Sequence, residues 1–322
     1  MFPILDGFLG YLQAIRGRSP LTIREYRYDL QMFFRFMKRL RNPSLSTLPF
    51  QETPIDDIDD EFVRAVTLND LYAFVTWMSR DRKAAAATRA RKVATLRSFF
   101  KYLKTKARLI TDDPASELDT PRRIKRLPRH LSLDESRRLL TAASGTEQAY
   151  PERDYCILTL FLNCGLRLSE LCSIDLGRIR DESLTVIGKG AKERTVYLNG
   201  SCLDALEQWM AARTKLTAKD RDALFLSRRG TRISTKMVQY IVKRYIRSAG
   251  LDPSRYSTHK LRHTAATLMY KYGHVDIRSL QRILGHESIA TTEIYTHVDE
   301  DMLHQAVESN PLASERRSHT TD

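Results

Sequence analysis

Apolar residues recur at three- and four-residue steps through most of this chain, and the phase breaks at prolines and glycines. That is the pattern of successive amphipathic helices. Residues 2–15 predict a first helix with Leu5, Leu9 and Leu12 on one face. Ser19 suits an N-cap and Pro20 the first helical position of a second helix, which would bury Ile23, Tyr26, Leu30, Phe33, Phe34 and Met37. The stretch "NPSLSTLPFQETPIDDIDDEF" is rich in Pro and Asp and predicts a loop or a poorly ordered insert at about 42–66. A third helix is expected near 68–80, with Leu71, Phe74, Val75 and Met78 inward, and a fourth around Val93, Leu96, Phe100 and Leu103.

After a proline-containing break the pattern resumes. Ser132 and Glu135 in "LSLDESRRLL" fit a capping box. A helix follows at about 152–163 and ends near Gly165. Leu184–Ile187 and Thr195–Leu198 are β-branched or apolar and flank "GKGAKE", which predicts a hairpin with Lys189 at its tip. The rest reads as helical, apart from a candidate short strand at 223–227. In "THKLRHTAATLMYKYG", Thr258 suits a helix start, Gly273 a left-handed end, and Leu261, Ala265, Leu268 and Tyr272 a buried stripe. Asp276 should cap a short helix ending at Gly285. In the tail, "DEDMLHQAVESNPL" suits a short helix with Met302, Leu303 and Val307 on one side, and "ASERRSHTTD" reads as disordered. The fold class expected is mainly α with a small β-hairpin or sheet in the second of two domains. The divisions are a helical domain at 1–111, a linker at 112–129, a mixed α+β domain at 130–300 and a tail at 301–322.

Charge adds a partner to this picture. Of 322 residues, 42% are hydrophobic, so a packed core is expected, while 53 Lys and Arg against 39 Asp and Glu leave a net charge of +14. A pI near 9.7 points to a polyanion, most simply nucleic acid. The excess is concentrated: eleven Lys or Arg residues lie between Arg80 and Arg108, with Asp81 the one acid among them. Solvated helix faces usually mix both signs, so this face is expected to contact phosphates, through Arg89, Arg91, Lys92, Arg97, Lys101 and Lys104. Arg122, Arg123, Lys125 and Arg126 in the linker would extend it along a duplex. No run of about 18 apolar residues exists, so no transmembrane helix is expected. "MFPILDGFLG" lacks the basic start of a signal peptide. Cys156, Cys164, Cys172 and Cys202 form no C-x-x-C pair and lie in apolar segments, which suits buried free thiols in a reducing cytoplasm.

Candidate chemistry is cationic and protic. His259, Arg262 and His263 lie three and four apart and emerge close together on a helix. A zinc site is disfavoured, because Lys260 and Arg262 lie inside the H-x-x-x-H spacing where a catalytic zinc helix carries Glu. "GKGAK" is not a phosphate-binding P-loop. Arg167 sits among Leu166, Leu168 and Leu171 with Glu170 three residues on, so it is expected to be held by that carboxylate and aimed at a ligand. His286 follows Gly285, and Tyr295 comes nine residues later. His263 is expected to be a packing or supporting group. Two arginines can grip the non-bridging oxygens of one phosphate, and positioned donors stabilise the charge that grows there in a pentacovalent transition state. A phenol is a poor nucleophile near neutral pH; nearby positive charge and a histidine acceptor activate it. A lysine can protonate the leaving oxygen.

The motifs "GLRLSEL", "IGKGAKER", "HKLRHTAAT" and "LGHESIATTEIYTH" together resemble those of the tyrosine recombinases, or phage integrase family. The family's six catalytic positions fall in order on Arg167, Lys189, His259, Arg262, His286 and Tyr295, the last as nucleophile. The resemblance covers about 130–300 closely, and length places the chain nearest the Xer-type site-specific recombinases; the 42–66 insert is longer than that type suggests. The resemblance implies a two-domain clamp around double-stranded DNA, a 3′-phosphotyrosyl intermediate, and sequential strand exchange through a Holliday junction. It implies a homo-tetramer on DNA or pairing with a second recombinase, and no cofactor or metal. Chromosome dimer resolution and mobile-element integration both fit. The alternatives are relaxation by a type IB topoisomerase and a catalytically silent DNA-binding regulator.

Overall fold

The computed structural model describes residues 2–122, 129–145, 149–188, 192–273 and 275–295. The chain divides into two compact units, Met1–Lys125 and Arg126–Asp322.

The first unit is helical: α1 (Pro3–Ala14), α2 (Pro20–Arg41), α3 (Asp60–Arg64), α4 (Leu68–Arg80) and α5 (Ala86–Thr105). The Ser19 hydroxyl accepts from the Thr22 amide at 3.2 Å, as its place before Pro20 suggests. Thr67 and Asp70 form a reciprocal capping box on α4. Phe8, Phe33, Phe34, Phe74, Phe99 and Phe100 meet at the centre, mostly edge to face, a geometry that adds about 0.5–1.5 kcal/mol per pair beyond burial.

The 42–66 insert is built, not loose. It contains two 3₁₀ turns, Pro43–Thr47 and Phe50–Glu52, and then α3. Ile55, Ile58, Val63 and Val66 are buried in the unit's core. The basic end of α2 ties it down: Lys38 bonds Asp57 at 2.5 Å, Arg39 bonds Thr53 at 2.8 Å, and Arg41 donates to the carbonyls of Phe62 and Ala65. Four apolar anchors scattered among acids outweigh the Pro and Asp content that suggested a loop.

The basic face of α5 also departs from expectation. Lys92 is 3% exposed. Its ammonium bonds Asp29 at 2.6 Å, and Asp29 also accepts from Arg91 at 2.6 Å and Thr95 at 3.0 Å. Lys92 is therefore a core ion-pair residue and not part of an outward face. Burial pushes its pKa down, and Asp29 opposes that shift. Asp29→Asn leaves a buried ammonium without its counter-charge, and is expected to lower unfolding stability by about 3 kcal/mol, read from denaturant midpoints; an unchanged midpoint would discount the pair.

The segment expected as linker begins within this unit. Ala115 and Leu118 are buried in its core, Arg97 donates to the Leu118 carbonyl and to Thr120, and Tyr72 donates to Asp119. Alanine and leucine at that spacing suffice to dock a short stretch that its prolines marked as a break.

The second unit comprises α6 (Leu133–Ala143), α7 (Pro151–Cys164), α8 (Leu168–Cys172), β1 (Ile179–Arg180), β2 (Ser183–Ile187), β3 (Glu193–Tyr197), α9 (Gly200–Arg213), α10 (Thr235–Ser248), α11 (Thr258–Tyr272) and α12 (Ile277–Leu284). The predicted hairpin is β2–β3, in register at Thr185 and Thr195; β1 adds a third antiparallel strand too short to stand out in sequence. Residues 223–227 make only isolated bridges, Asp175 with Ala223 and Leu226 with Arg232. α7 is apolar nearly all round because α6, α9 and α11 pack on it. The four cysteines are buried and free.

α11 matches its predicted span but not its ends. Ser257, not Thr258, occupies the cap position, Gly273 has φ −92° and is not left-handed, and Tyr272 is 54% exposed. Two 3₁₀ turns, Ile289–Thr291 and Glu293–Tyr295, close the described chain. Among the described residues no helix is long and apolar enough to cross a membrane.

Candidate active site

The site is assembled on two left-handed glycines. α7 ends at Gly165, φ +59°, where a Cβ would meet the Leu284 side chain at 2.9 Å; α12 ends at Gly285, φ +64°, where it would meet Arg194 at 2.6 Å. Each turn needs a residue without a side chain, because of both its φ and its neighbours. Their carbonyls face cations. Arg262 donates to Gly165 O at 2.7 Å and to Leu284 O at 2.6 Å, and Arg167 donates to Gly285 O at 2.7 Å. The two guanidiniums are thus fixed through one turn, Leu284–Gly285, although 95 residues separate them in sequence.

Glu170 is the counter-charge. It is 1% exposed. It accepts from the Arg167 amide at 2.8 Å, the Arg167 guanidinium at 2.6 Å and Arg194 at 2.8 Å, and Arg262 lies 3.8 Å away. Burial alone would raise its pKa, but Arg194 and Arg167 outweigh burial and hold it below the usual value. Arg194 also donates to Ile283 O at 2.5 Å, so it secures the end of α12 as well. Each guanidinium has five N–H donors, and the bonds described leave some of Arg167 and Arg262 unspent. Arg167, Lys192, Arg194 and His286 line a cleft of about 510 Å³.

The protic groups lie beside this frame. Thr292 and the His286 Nδ1 are 3.0 Å apart, while the His286 backbone bonds Gln281 at both amide and carbonyl. Tyr295 is 2% exposed and packs with Ala266, Leu280 and Leu284. Its hydroxyl lies 2.6 Å from His263 Nδ1, and His263 Nε2 lies 3.1 Å from His259 Nε2. Burial pushes the Tyr295 phenol up to about 12 against the pull of Arg262, so it is held protonated. Burial, followed by the surrounding cations, lowers both His263 and His286 to about 4, and lowers His259 as well. Burial, followed by Arg167, lowers Arg262 to about 10, which leaves it charged at neutral pH.

These shifts give stability a pH dependence. The folded values of His263 and His286 lie below the ordinary imidazole value of 6.5, so between about pH 6.5 and pH 4 the unfolded chain binds protons that the folded chain refuses. The contribution is intact above about pH 6.5 and is lost as pH falls toward 4. Melting temperature is expected to drop across that window, and His263→Asn with His286→Asn to flatten the drop. An equal slope in the double variant would place the acid sensitivity elsewhere.

Of the sequence-predicted residues, Arg167, His259, Arg262, His286 and Tyr295 fall in this one region. Lys189 lies outside the described residues. Two contributors went unread. His263, expected only to support, touches the phenol; its i, i+4 spacing from His259 was visible, but its contact with Tyr295 spans 32 positions. Arg194 was inside a quoted motif and carried no signal of its own. In the first unit Lys101, Lys104 and Arg122 are exposed, whereas Arg89 caps the Ala84 carbonyl and Arg91 and Arg97 are partly spent on Asp29 and Leu118. Arg123, Lys125 and Arg126 lie outside the described residues.

Comparison with known proteins identifies the family. Residues 129–302 match the phage integrase family, and residues 5–53 and 55–107 match the phage integrase N-terminal SAM-like domain, so the match passes through the 42–66 insert with a break only at residue 54. Tyrosine recombinase XerC of Caldanaerobacter subterraneus subsp. tengcongensis is 51% identical over 313 residues, covering 97% of this chain and 88% of that protein. Tyrosine recombinase XerC of Corynebacterium efficiens is 37% identical, covering 95% and 90%. In fold, the chain is similar to XerH site-specific recombinase bound to palindromic difH substrate in a post-cleavage complex, with a TM-score of 0.72, 23% identity, and 95% and 84% coverage. A match of this length at this identity means that the chain belongs to the phage integrase family, as a Xer-type tyrosine recombinase, an enzyme of site-specific DNA recombination.

Proposed function

We propose that the second unit cleaves one strand of duplex DNA by attack of the Tyr295 oxygen on a phosphodiester. This leaves a 3′-phosphotyrosyl bond and a free 5′ hydroxyl. The observation that carries this reading is the convergence of two buried-carboxylate-anchored arginines, three histidines and one sequestered phenol around the Leu284–Gly285 turn. Arg167 and Arg262 would hold the non-bridging oxygens, with His286 and His259 beside them, and stabilise the charge of the transition state. The phenol proton would pass to histidine, and Lys189 would protonate the leaving 5′ oxygen. Attack by a 5′ hydroxyl from a second duplex then reseals the strand without ATP, since the phosphotyrosyl ester keeps the bond energy.

Duplex binding is assigned to Arg89, Arg91, Arg97, Lys101 and Lys104 of α5 together with Arg122, Arg123, Lys125 and Arg126. The working assembly is four protomers, this chain alone or with a second recombinase, exchanging strands through a Holliday junction in the cytoplasm. Near full-length likeness to tyrosine recombinase XerC supports the Xer-type reading, and the role assigned is chromosome dimer resolution, with mobile-element integration as the alternative. The test needs no known site. Sheared DNA from the source cell is mixed with the protein, denatured in SDS, and DNA still attached to protein is sequenced. Attachment piled at one chromosomal locus is the expected result. Attachment scattered without a preferred locus would contradict site specificity, and none at all would favour a silent regulator.

A further inference from the structure

The His259–His263–Tyr295 contacts form a directed chain. Tyr295 Oη lies 2.6 Å from His263 Nδ1, and the opposite nitrogen of the same ring lies 3.1 Å from His259 Nε2. The His259 and His263 rings meet edge to face at 4.5 Å between centroids, and α11 fixes both by their i, i+4 spacing. Only one tautomer lets the phenol donate: His263 must carry its proton on Nε2, which then points at His259 Nε2. His259 is exposed, so the chain runs from a buried phenol to the protein surface through two imidazoles. We propose that His263 is a catalytic residue, taking the proton from Tyr295 Oη as the phosphorus–oxygen bond forms and passing its own Nε2 proton to His259.

The step balances. The Tyr295 O–H bond breaks as an N–H bond forms at His263 Nδ1, the freed electron pair on Oη forms the bond to phosphorus, and the His263 Nε2 proton moves to His259. The departing 5′ oxygen takes its proton from a different donor. In resealing, the same chain runs backwards and returns a proton to the phenol as it leaves. Burial and, after it, the neighbouring cations hold His263 neutral; a bound phosphodiester brings negative charge beside those cations, so substrate itself makes that ring a better acceptor. His263 is set apart from Arg167, Arg262 and His286 because it faces the nucleophile, whereas they face the backbone turn and the cleft.

This inference rests on Tyr295 being the nucleophile, and the experiment separates the two. Wild type, Tyr295→Phe, His263→Ala and His263→Asn are mixed with sheared duplex DNA from the source cell. Binding is read by filter retention and attachment by SDS-resistant recovery over time. Asparagine places an acceptor oxygen near the position of Nδ1 and can hold the phenol, but it cannot take the proton. His263→Ala and His263→Asn are expected to bind DNA within a few-fold of wild type and to attach about a hundredfold more slowly. Added imidazole should speed His263→Ala at least about tenfold and leave Tyr295→Phe blank. Near wild-type attachment by His263→Asn would reduce His263 to a positioning residue and overturn the proposal, as would a slow His263→Ala that imidazole does not move. Should His263→Ala not fold, the asparagine variant decides alone. Attachment by Tyr295→Phe equal to wild type would instead remove the nucleophile assignment.

Discussion

Tyr295→Phe is expected to bind DNA as the wild type does and to form no covalent adduct with it. The substitution is conservative where structure matters. The ring is 2% exposed and packs with Ala266, Leu280 and Leu284, and phenylalanine fills the same volume. What disappears is one hydroxyl and its 2.6 Å bond to His263, a loss of about 1 kcal/mol in stability. What disappears chemically is the attacking atom, so adduct formation should fall by at least about 10⁴-fold, as for loss of a nucleophile elsewhere. Binding draws on many phosphate contacts, and a buried phenol is not one of them. The check pairs filter binding with SDS-resistant attachment on the same DNA. Undiminished attachment would move the nucleophile to Tyr270 or Tyr272. Tyr270 packs against the same small cluster and Tyr272 is on the surface; among the described residues, the hydroxyl bonded to His263 is that of Tyr295.

Local rules carried most of the fold. Caps at Ser19 and Ser132, the left-handed ends at Gly165 and Gly285, and the α2 and α4 stripes each follow from a few neighbouring residues. The Arg167–Glu170 pairing was also local, since three positions separate the two. Three of the misses share a cause: each depends on a partner outside its own segment. Lys92 looked like one of eleven outward cations because Asp29, 63 residues earlier, is not part of its helix. The 42–66 insert looked loose because the helix end that binds its acids and carbonyls precedes it. His263 looked secondary because its role is set by where the 3₁₀ turn at Glu293–Tyr295 places a hydroxyl. Pattern reading finds which residues are chemically able. It does not find which of them meet, and at this site the meeting of Glu170 with Arg194 helps hold the carboxylate charged, while that of Tyr295 with His263 gives the phenol its hydrogen-bond partner.

Arg262→Ala is expected to slow attachment by about a thousandfold, at the upper end of what removal of one transition-state donor costs. The side chain is 3% exposed, and two of its donors are fixed on the carbonyls of Gly165 and Leu284. It therefore arrives at the phosphate already oriented, with no rotamer entropy left to lose. Alanine removes that contact and also leaves two buried carbonyls without their donor, at about 1–3 kcal/mol each. Glu170 keeps Arg167 and Arg194, so the counter-charge is not orphaned and the unit is expected to fold with a lowered melting temperature. Arg262→Lys separates the two effects. A lysine preserves positive charge but cannot span both carbonyls in a planar fork, so it should regain part of the DNA affinity and little of the rate. If the rate followed charge alone, Arg262→Lys would attach near wild-type speed, and the anchoring of Arg262 through the Leu284–Gly285 turn would have no catalytic role. If Arg262→Ala itself attached at the wild-type rate, the residue would be structural, and the phosphate grip would rest on Arg167 and the histidines.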